Sequence, residues 1–436
     1  MSGKRRVAAN LALVLAGVAI AFLVAEVAVR LSGLAKVSLY TWDAYRGWGL
    51  KPGASGWQRD EGAGFVSVNH AGFRGPEWTV AKPAGTLRVA VVGDSFTEAP
   101  QVAYEQTFCA VAERALGGCK GLGGRKIQVM NFGTDAYGTA QELITLRRHV
   151  WQYSPDLVVL AFFSGNDLRN NSTALESDKC RPFYLFEDGK LTLGGPFERS
   201  RWFYLSCMMR FESRHSQVLN LIGDAKSDIR SKIKEMEAGR RSAAAPKPAA
   251  RAPEAGGRAP KPEGRMIDGG FTPVAERQPA APLGHEEGIE DNIYRPPMTP
   301  VWEDAWRVTE GIITMMARET AAHHVPLLVV TLANPPQIYP SPTVRGYYLM
   351  TYHSTDIFYP DERIKALGER EGFEVLNLAA PMQAYADEHH VFLAGFKDTK
   401  LGVGHWNADG QMLAGELIAQ KVCEMLSAGA HPALAR

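Results

Sequence analysis

Four short polar stretches of the chain could together perform acyl transfer on an ester. They are Gly93-Asp94-Ser95, residues 131–139 (NFGTDAYGT), Gly165-Asn166-Asp167 and Gly404-His405-Trp406-Asn407. A serine becomes a nucleophile beside a histidine base, so Ser95 and His405 are the candidate pair. A backbone N–H of the second stretch and the side-chain amide of Asn166 would then bind the developing oxyanion. Taken singly, each stretch has a plainer interpretation as a helix cap, a turn or a surface histidine.

Strand-like and helix-like segments alternate along the part of the chain that carries these stretches. Residues 89–92 are an unbroken apolar run, which is typical of a strand buried on both faces of a parallel sheet. Further strands are predicted at residues 127–131, 157–162, 326–331 and 373–378, and helices at residues 104–116, 139–152, 304–323, 361–371 and 409–425. This alternation predicts an α/β fold: a doubly wound, flavodoxin-like parallel sheet of about five strands with helices on both faces. Ligands bind such sheets at the carboxyl ends of the strands, where the first three polar stretches fall.

The start of the chain has the pattern of a membrane anchor. An apolar run at residues 7–29 follows three basic residues, Lys4, Arg5 and Arg6. The run is long enough to cross a bilayer as a helix. The positive charge before it predicts a single-pass protein with a cytoplasmic N-terminus and an extracytoplasmic catalytic domain. A cleaved signal peptide is the alternative.

Composition divides the chain into six segments. These are a cytoplasmic stub with the anchor (1–35), a lead-in segment (36–84), a first part of the sheet domain (85–180), an insertion (181–239), a Pro- and Ala-rich segment (240–297) and a second part of the sheet domain (298–428). The Pro- and Ala-rich segment has no periodic apolar pattern. It is predicted to be disordered, because it cannot bury enough apolar surface to offset its ordering entropy.

Charge and cysteine spacing argue against several classes of protein. The formal net charge of +1 gives no support for nucleic acid as a partner. The five cysteines show no CxxC and no Cys/His ligand spacing, so the sequence predicts no metal site and no disulfide framework. No cofactor is expected.

With these residues in hand, the chain resembles the SGNH (GDSL-type) hydrolases, in the branch that carries an N-terminal membrane anchor. The four polar stretches resemble the four family blocks in their order along the chain. The resemblance implies that Ser95 is the nucleophile and His405 the base. It also implies that the amide of Asn166 and the backbone N–H of Ala136 donate to the oxyanion.

Two positions depart from the family pattern. The glycine that donates the oxyanion N–H appears as Ala136, with Gly138 close by. Alanine keeps the N–H where the backbone torsion angles suit it. The family aspartate two or three residues before the histidine is absent, and Asp398, the nearest acid upstream, is predicted to orient His405 instead. Orientation by a backbone carbonyl, giving a Ser-His dyad, is the alternative.

The function that the resemblance implies is a membrane-anchored serine esterase. It would cleave O-acyl esters, with acetyl esters and acylated polysaccharide favoured, through an acyl-enzyme. Two alternatives remain open. One is a carbohydrate O-acetyltransferase, in which a sugar alcohol replaces water. The other is a binding or scaffold protein that keeps the fold but has lost most of its activity, for which the missing aspartate is the chief support.

Overall fold

A computed structural model of the chain describes residues 3–32, 38–212, 216–219, 221–222, 225, 283, 289–354 and 356–427. Contacts divide the chain into two units, residues 1–38 with 210–272 and residues 39–209 with 273–436. All four polar stretches identified in the sequence belong to the second unit.

The first unit contains the N-terminal helix, α1 (Gly3–Ser32). Its stretch Ala9–Ser32 has 24 residues and a mean hydropathy of 2.6, so it is long and apolar enough to cross a membrane. A signal sequence would satisfy the same criterion. Towards the end of α1, the carboxylate of Glu26 accepts hydrogen bonds from the Ser216 hydroxyl at 2.8 Å and from the Val218 N–H at 3.1 Å.

The second unit begins with two antiparallel hairpins in the lead-in segment. Strand β1 (Tyr40–Asp43) pairs with β2 (Gly47–Leu50), and β3 (Ser55–Gln58) pairs with β4 (Gly64–Ser67). A small buried cluster lies between them, formed by Leu39, Leu50, Val66 and Val68. The lead-in segment therefore belongs to the same unit as the sheet and has a hydrophobic cluster of its own.

A five-stranded parallel sheet forms the centre of the second unit. Its strands are β5 (Thr86–Gly93), β6 (Lys126–Gly133), β7 (Leu157–Phe162), β10 (Leu327–Thr331) and β11 (Glu374–Asn377), and a separate hairpin consists of β8 (Tyr184–Glu187) and β9 (Lys190–Leu193). The order across the sheet is β11-β10-β7-β5-β6, with every pair parallel. This is the flavodoxin-like order, and it confirms the predicted fold class. The chain adds β6 on one side of β5 and all later strands on the other side, so the strand order reverses between β5 and β7. Sheets of this type bind their ligands at such a point.

Helices cover both faces of the sheet. They are α2 (Ser95–Glu98), α3 (Phe108–Gly117), α4 (Thr139–Thr145), α5 (Ser164–Asn170), α6 (Pro196–Arg199), α7 (Arg201–Glu212), α8 (Pro300–Ala322), α9 (Pro342–Thr351), α10 (Tyr359–Glu371), α11 (Ala379–His389) and α12 (Ala408–Ser427). Side chains of β5 alternate between two buried clusters: Val89 and Val91 belong to one, and Ala90 and Val92 to the other. Burial on both faces explains why β5 is an unbroken apolar run.

Two disulfides correct the expectation drawn from cysteine spacing. Cys119 is bonded to Cys423, and Cys180 to Cys207. The first pair is 304 residues apart in sequence. Local spacing rules detect only nearby partners, so they could not have found it.

The Pro- and Ala-rich segment lies mostly outside the described residues, which include only Leu283 and residues 289–297 of it. Ile293 and Tyr294 in this last part are fully buried, in a short 3-10 turn. The predicted disorder therefore does not extend to residue 297, and the sheet unit resumes earlier than expected.

Candidate active site

The candidate nucleophile follows β5 directly and begins α2. Asp94 is the N-cap of this helix, since its carboxylate accepts the Phe96 N–H at 2.9 Å. The helix start is buried, and Ser95 is only 5% exposed. Gly93 is required here, because a side chain at this position would overlap the hydroxyl of Thr97. The tight turn therefore fixes Ser95 at the carboxyl edge of the sheet.

The structure brings His405 onto Ser95. The imidazole Nε2 lies 2.9 Å from the Ser95 hydroxyl oxygen, although the two residues are 310 positions apart in sequence. The Phe96 ring packs against the imidazole at a centroid distance of 4.8 Å. The 2.9 Å distance between His405 Nε2 and the Ser95 hydroxyl is short enough for the serine to pass its proton to the histidine.

A carboxylate of the lead-in segment holds the other side of the histidine. Glu61, in the turn between β3 and β4, has one oxygen 2.6 Å from His405 Nδ1. Its second oxygen accepts the backbone N–H of His405 at 2.8 Å. Gly404 has a φ of +88° and lies against Glu61, where a Cβ atom would overlap the carboxylate. Ser95, His405 and Glu61 are thus arranged in the order of a nucleophile, base and orienting acid.

Glu61 is a candidate site residue that sequence reasoning missed, and the structure places it, rather than Asp398, against His405. Asp398 is exposed, in a loop whose ends pair with each other through the Gly395 N–H and the His405 carbonyl oxygen at 2.8 Å. The Nδ1 atom of His405, which an orienting acid would contact, is already paired with Glu61. No local signal marks Glu61, because it precedes His405 by 344 residues.

Asn166 lies next to the nucleophile turn, as expected of a group on the neighbouring strand end. It is part of α5, which follows β7, and its Nδ2 donates to an Asp94 oxygen at 3.0 Å. The amide nitrogen carries a second N–H, which is available for an oxyanion. Asp94 therefore caps α2 and also contacts the side chain of Asn166.

Ala136 adopts the backbone conformation that explains the usual glycine. Its φ is +58°, in the left-handed region. The preceding residue is held in place, since the Asp135 N–H donates to Glu98 at 2.7 Å and the Asp135 carbonyl accepts from the Trp48 indole at 2.9 Å. The Ala136 N–H thus follows a residue that is held in place, and in this structure it donates to the Asp135 carboxylate.

Buried carboxylates set the electrostatics around the imidazole. Burial lowers the pKa of His405, but the hydrogen bond and charge of Glu61, with the charges of Asp135 and Asp94, outweigh it. The pKa of His405 consequently lies above its usual 6.5. Burial raises the pKa of Asp94 to about 6 despite its bond from Asn166, and burial with the charge of Asp135 raises the pKa of Glu98 to about 8. The surroundings thus favour the imidazolium form that appears when His405 takes a proton.

Within the described ranges, no group of three or more His, Cys, Asp or Glu side chains is arranged to hold a metal ion. The side chains in contact at this edge of the sheet are instead those of nucleophilic acyl transfer: a hydroxyl, an imidazole with a carboxylate behind it, and an amide donor.

The comparisons with known proteins give fold-level likeness only. No family model and no curated protein matches the chain. Among solved structures, it is similar to a lipase/acylhydrolase from Enterococcus faecalis, at 12% identity and a TM-score of 0.35, covering 78% of this chain and 96% of that one. It is also similar to a GDSL-like lipase from Bacteroides thetaiotaomicron, at 13% and 0.31, covering 79% and 92%. A third is the acetyl xylan esterase AlAXEase, at 11% and 0.35, covering 77% and 100%. Since these TM-scores are below 0.5, function is inferred from the site itself.

Proposed function

We propose that this chain is a serine ester hydrolase of the SGNH (GDSL) type, in which Ser95, His405 and Glu61 form a catalytic triad. The observation that carries the proposal is that the imidazole of His405 has a partner on each side. Its Nε2 lies 2.9 Å from the Ser95 hydroxyl, and its Nδ1 lies 2.6 Å from the Glu61 carboxylate. Glu61 removes the main support for a catalytically impaired scaffold protein, which was the absence of an acid beside His405.

The reaction runs through an acyl-enzyme. The Ser95 oxygen attacks the acyl carbon while its proton passes to His405 Nε2, and Glu61 stabilises the imidazolium that forms. The negative charge on the former carbonyl oxygen is held by the backbone N–H of Ala136 and by the amide of Asn166. His405 then returns its proton to the leaving alcohol. Water attacks the acyl-enzyme by the same route, which releases the acid and restores Ser95.

We further propose that the acyl group is small, with acetyl esters of a polysaccharide as the substrate class. Ser95 is 5% exposed, so the acyl carbon must reach a nearly buried hydroxyl, which favours a small acyl group. The rates with p-nitrophenyl acetate, butyrate and octanoate should therefore fall with chain length, and release of acetate from acetylated oligosaccharides would identify the alcohol side. Faster hydrolysis of the octanoate than of the acetate would contradict this substrate class.

The proposed location is the outer face of a membrane, with α1 as a single-pass anchor and an N-terminus in the cytoplasm. The basic residues at the start of α1, which precede its apolar stretch, support this orientation. The disulfides Cys119–Cys423 and Cys180–Cys207 support it independently, because such bonds persist in oxidising compartments outside the cytoplasm. In right-side-out spheroplasts that express the chain, added protease should digest the catalytic unit. Protection from protease until the cells are lysed would contradict this topology.

Labelling with a fluorophosphonate probe tests the enzyme proposal without knowledge of the substrate. The full-length protein in detergent should be labelled, and Ser95→Ala should abolish both labelling and hydrolysis of p-nitrophenyl acetate. Ser67→Ala, at an exposed serine of β4, is the matched control and should leave both unchanged. Equal hydrolysis by wild type and Ser95→Ala would refute serine catalysis.

A further inference from the structure

The outward face of α7 is an exposed apolar stripe. Trp202 is 84% exposed, the highest value among the large hydrophobic side chains of the described chain. Leu205 is 40% and Met209 60% exposed. These three residues are spaced three and four positions apart, so they lie along one side of the helix. We refer to Trp202, Leu205 and Met209 as the α7 stripe.

The opposite face of α7 is fixed to the catalytic unit. Cys207 is buried and bonded to Cys180. The Tyr204 ring packs edge-on against Trp42 of the first hairpin, with ring centroids 5.1 Å apart. A helix that is apolar on both faces needs cover on both, and the catalytic unit covers only one. Because the helix is held by a disulfide, it cannot bury the stripe by simply turning over.

Short stretches of chain tie both ends of this region to the outer end of α1. Leu39 follows Ser32, the end of α1, by seven positions, a span of at most about 25 Å. Trp42, three residues further on, is the residue that contacts α7. On the other side, α7 ends at Glu212, and Ser216 donates to Glu26 of α1 at 2.8 Å. Glu26 lies six residues before the end of α1, or about 9 Å along its axis.

We infer that α7 is an interfacial membrane helix, whose stripe enters the boundary between headgroups and acyl chains of the bilayer that holds α1. Tryptophan is enriched at this depth, and a helix lying there buries its apolar face by about 5–10 Å. The exposed Arg201, next to Trp202, can direct its guanidinium group to lipid phosphates. The inference rests on the proposed anchor and not on the esterase chemistry.

Such a helix gives the catalytic unit a defined orientation on the membrane. A single transmembrane helix does not by itself fix the rotation of the catalytic unit, whereas a second membrane contact at α7 restricts that rotation. The active site would then face a fixed direction relative to the bilayer, which suits a substrate that is attached to or exported through the same envelope.

Tryptophan quenching by brominated lipid tests the inference on the full-length protein. The protein is reconstituted in vesicles of phosphatidylcholine and phosphatidylglycerol, with and without acyl chains brominated near the headgroup. Trp202→Phe should remove a large part of the lipid-dependent quenching. Trp57→Phe is the control, because Trp57 is 58% exposed on β3, away from α7, and should change the quenching little. Equal lipid quenching of wild type and Trp202→Phe would overturn the inference.

A second measurement separates a membrane from a protein that covers the stripe. The alternative is that another protein, or another part of the chain, covers Trp202 instead of lipid. In that case neither acrylamide in detergent nor brominated lipid in vesicles will quench the fluorescence of Trp202. That result also overturns the inference. The double variant Leu205→Glu/Met209→Glu should weaken lipid quenching of Trp202 several-fold while hydrolysis of p-nitrophenyl acetate stays within twofold of wild type. Hydrolysis that is absent already in the wild type would count against the proposed function alone.

Discussion

Replacing Glu61 by glutamine tests how the imidazole of His405 is held. The carboxylate makes two bonds to this residue, 2.6 Å to Nδ1 and 2.8 Å from the backbone N–H. Glutamine has a single oxygen and can keep only one of them. If the oxygen keeps the backbone bond, the NH₂ group faces Nδ1 and forces the ring proton onto Nε2. That tautomer cannot accept the proton of Ser95.

The size of the loss follows from these two orientations. In serine proteases, the corresponding acid-to-amide change holds the histidine in the wrong tautomer and lowers kcat by about 10⁴-fold. If the glutamine oxygen faces Nδ1 instead, the tautomer is correct, but the imidazolium loses its negative partner. We therefore expect kcat/KM to fall by about 10² to 10⁴, which corresponds to about 3–5 kcal/mol of transition-state stabilisation at about 1.36 kcal/mol per factor of ten.

The assay is hydrolysis of p-nitrophenyl acetate by the full-length protein in detergent, with kcat and KM measured separately. KM should change little, because Glu61 lies behind the imidazole and not on the side of the ester. Asp398→Asn is the matched control, since Asp398 is the exposed acid that sequence reasoning selected, and its activity should remain within twofold of wild type. The triad is refuted if Glu61→Gln keeps more than a tenth of the wild-type kcat/KM while Ser95→Ala is inactive.

Three further outcomes follow from the same site. His405 must be neutral to act as a base, and its pKa is raised, so a pH–rate profile should show kcat/KM increasing with pH with a midpoint above 6.5. In Glu61→Gln this midpoint should move to lower pH, because the negative charge beside the imidazole is removed. Gly404→Ala places a side chain at φ +88° against Glu61, so hydrolysis should fall at least tenfold and the Tm should drop; unchanged values of both would contradict the close packing. Ala136→Gly relieves a φ of +58° and should stabilise the protein by about 1 kcal/mol in denaturant unfolding, with hydrolysis retained; a lower stability would argue against backbone strain at this position.

The fold was predictable because the central strands β5, β7 and β10 are buried on both faces. Burial makes β5 and β7 continuous apolar runs, which are easy to recognise in a sequence. The carboxyl ends of neighbouring parallel strands meet at one edge, so the polar residues after β5 and β7 had to come together. The contact of Ser95 with His405 is consistent with the same rule, together with the family resemblance.

Glu61 could not be predicted, because its role depends on how a hairpin outside the sheet packs against the sheet edge. Sequence periodicity reports which side of an element is buried, but it contains no information on which distant turn meets a given histidine. Asp398 was selected because it is the nearest acid before His405 along the chain, and this criterion does not report distance in space. The glycine-rich loop around Asp398 closes on itself, so nearness in sequence did not become nearness in space.

Two of the helices that were not predicted, α9 and α11, were missed for a related reason. Helices α9 and α11 are only 10 and 11 residues long, and their sequences lack a clear apolar stripe. An ion pair joins them, with Arg345 and Asp387 2.6 Å apart. Tertiary contacts of this kind stabilise short helices whose own sequence pattern is weak.

Glu61 lies in the hairpin of β3 and β4, before the sheet, so a soluble fragment of this protein has to include that hairpin. A chain cut at the first strand of the sheet, Thr86, would still contain Ser95 and His405 but would lack the acid behind the imidazole. Such a fragment would hydrolyse esters slowly, and the cause would be the missing residues before Thr86 rather than a property of the whole protein. The hairpin of β3 and β4 thus supplies part of the candidate active site, and expression without α1 should start no later than Leu39.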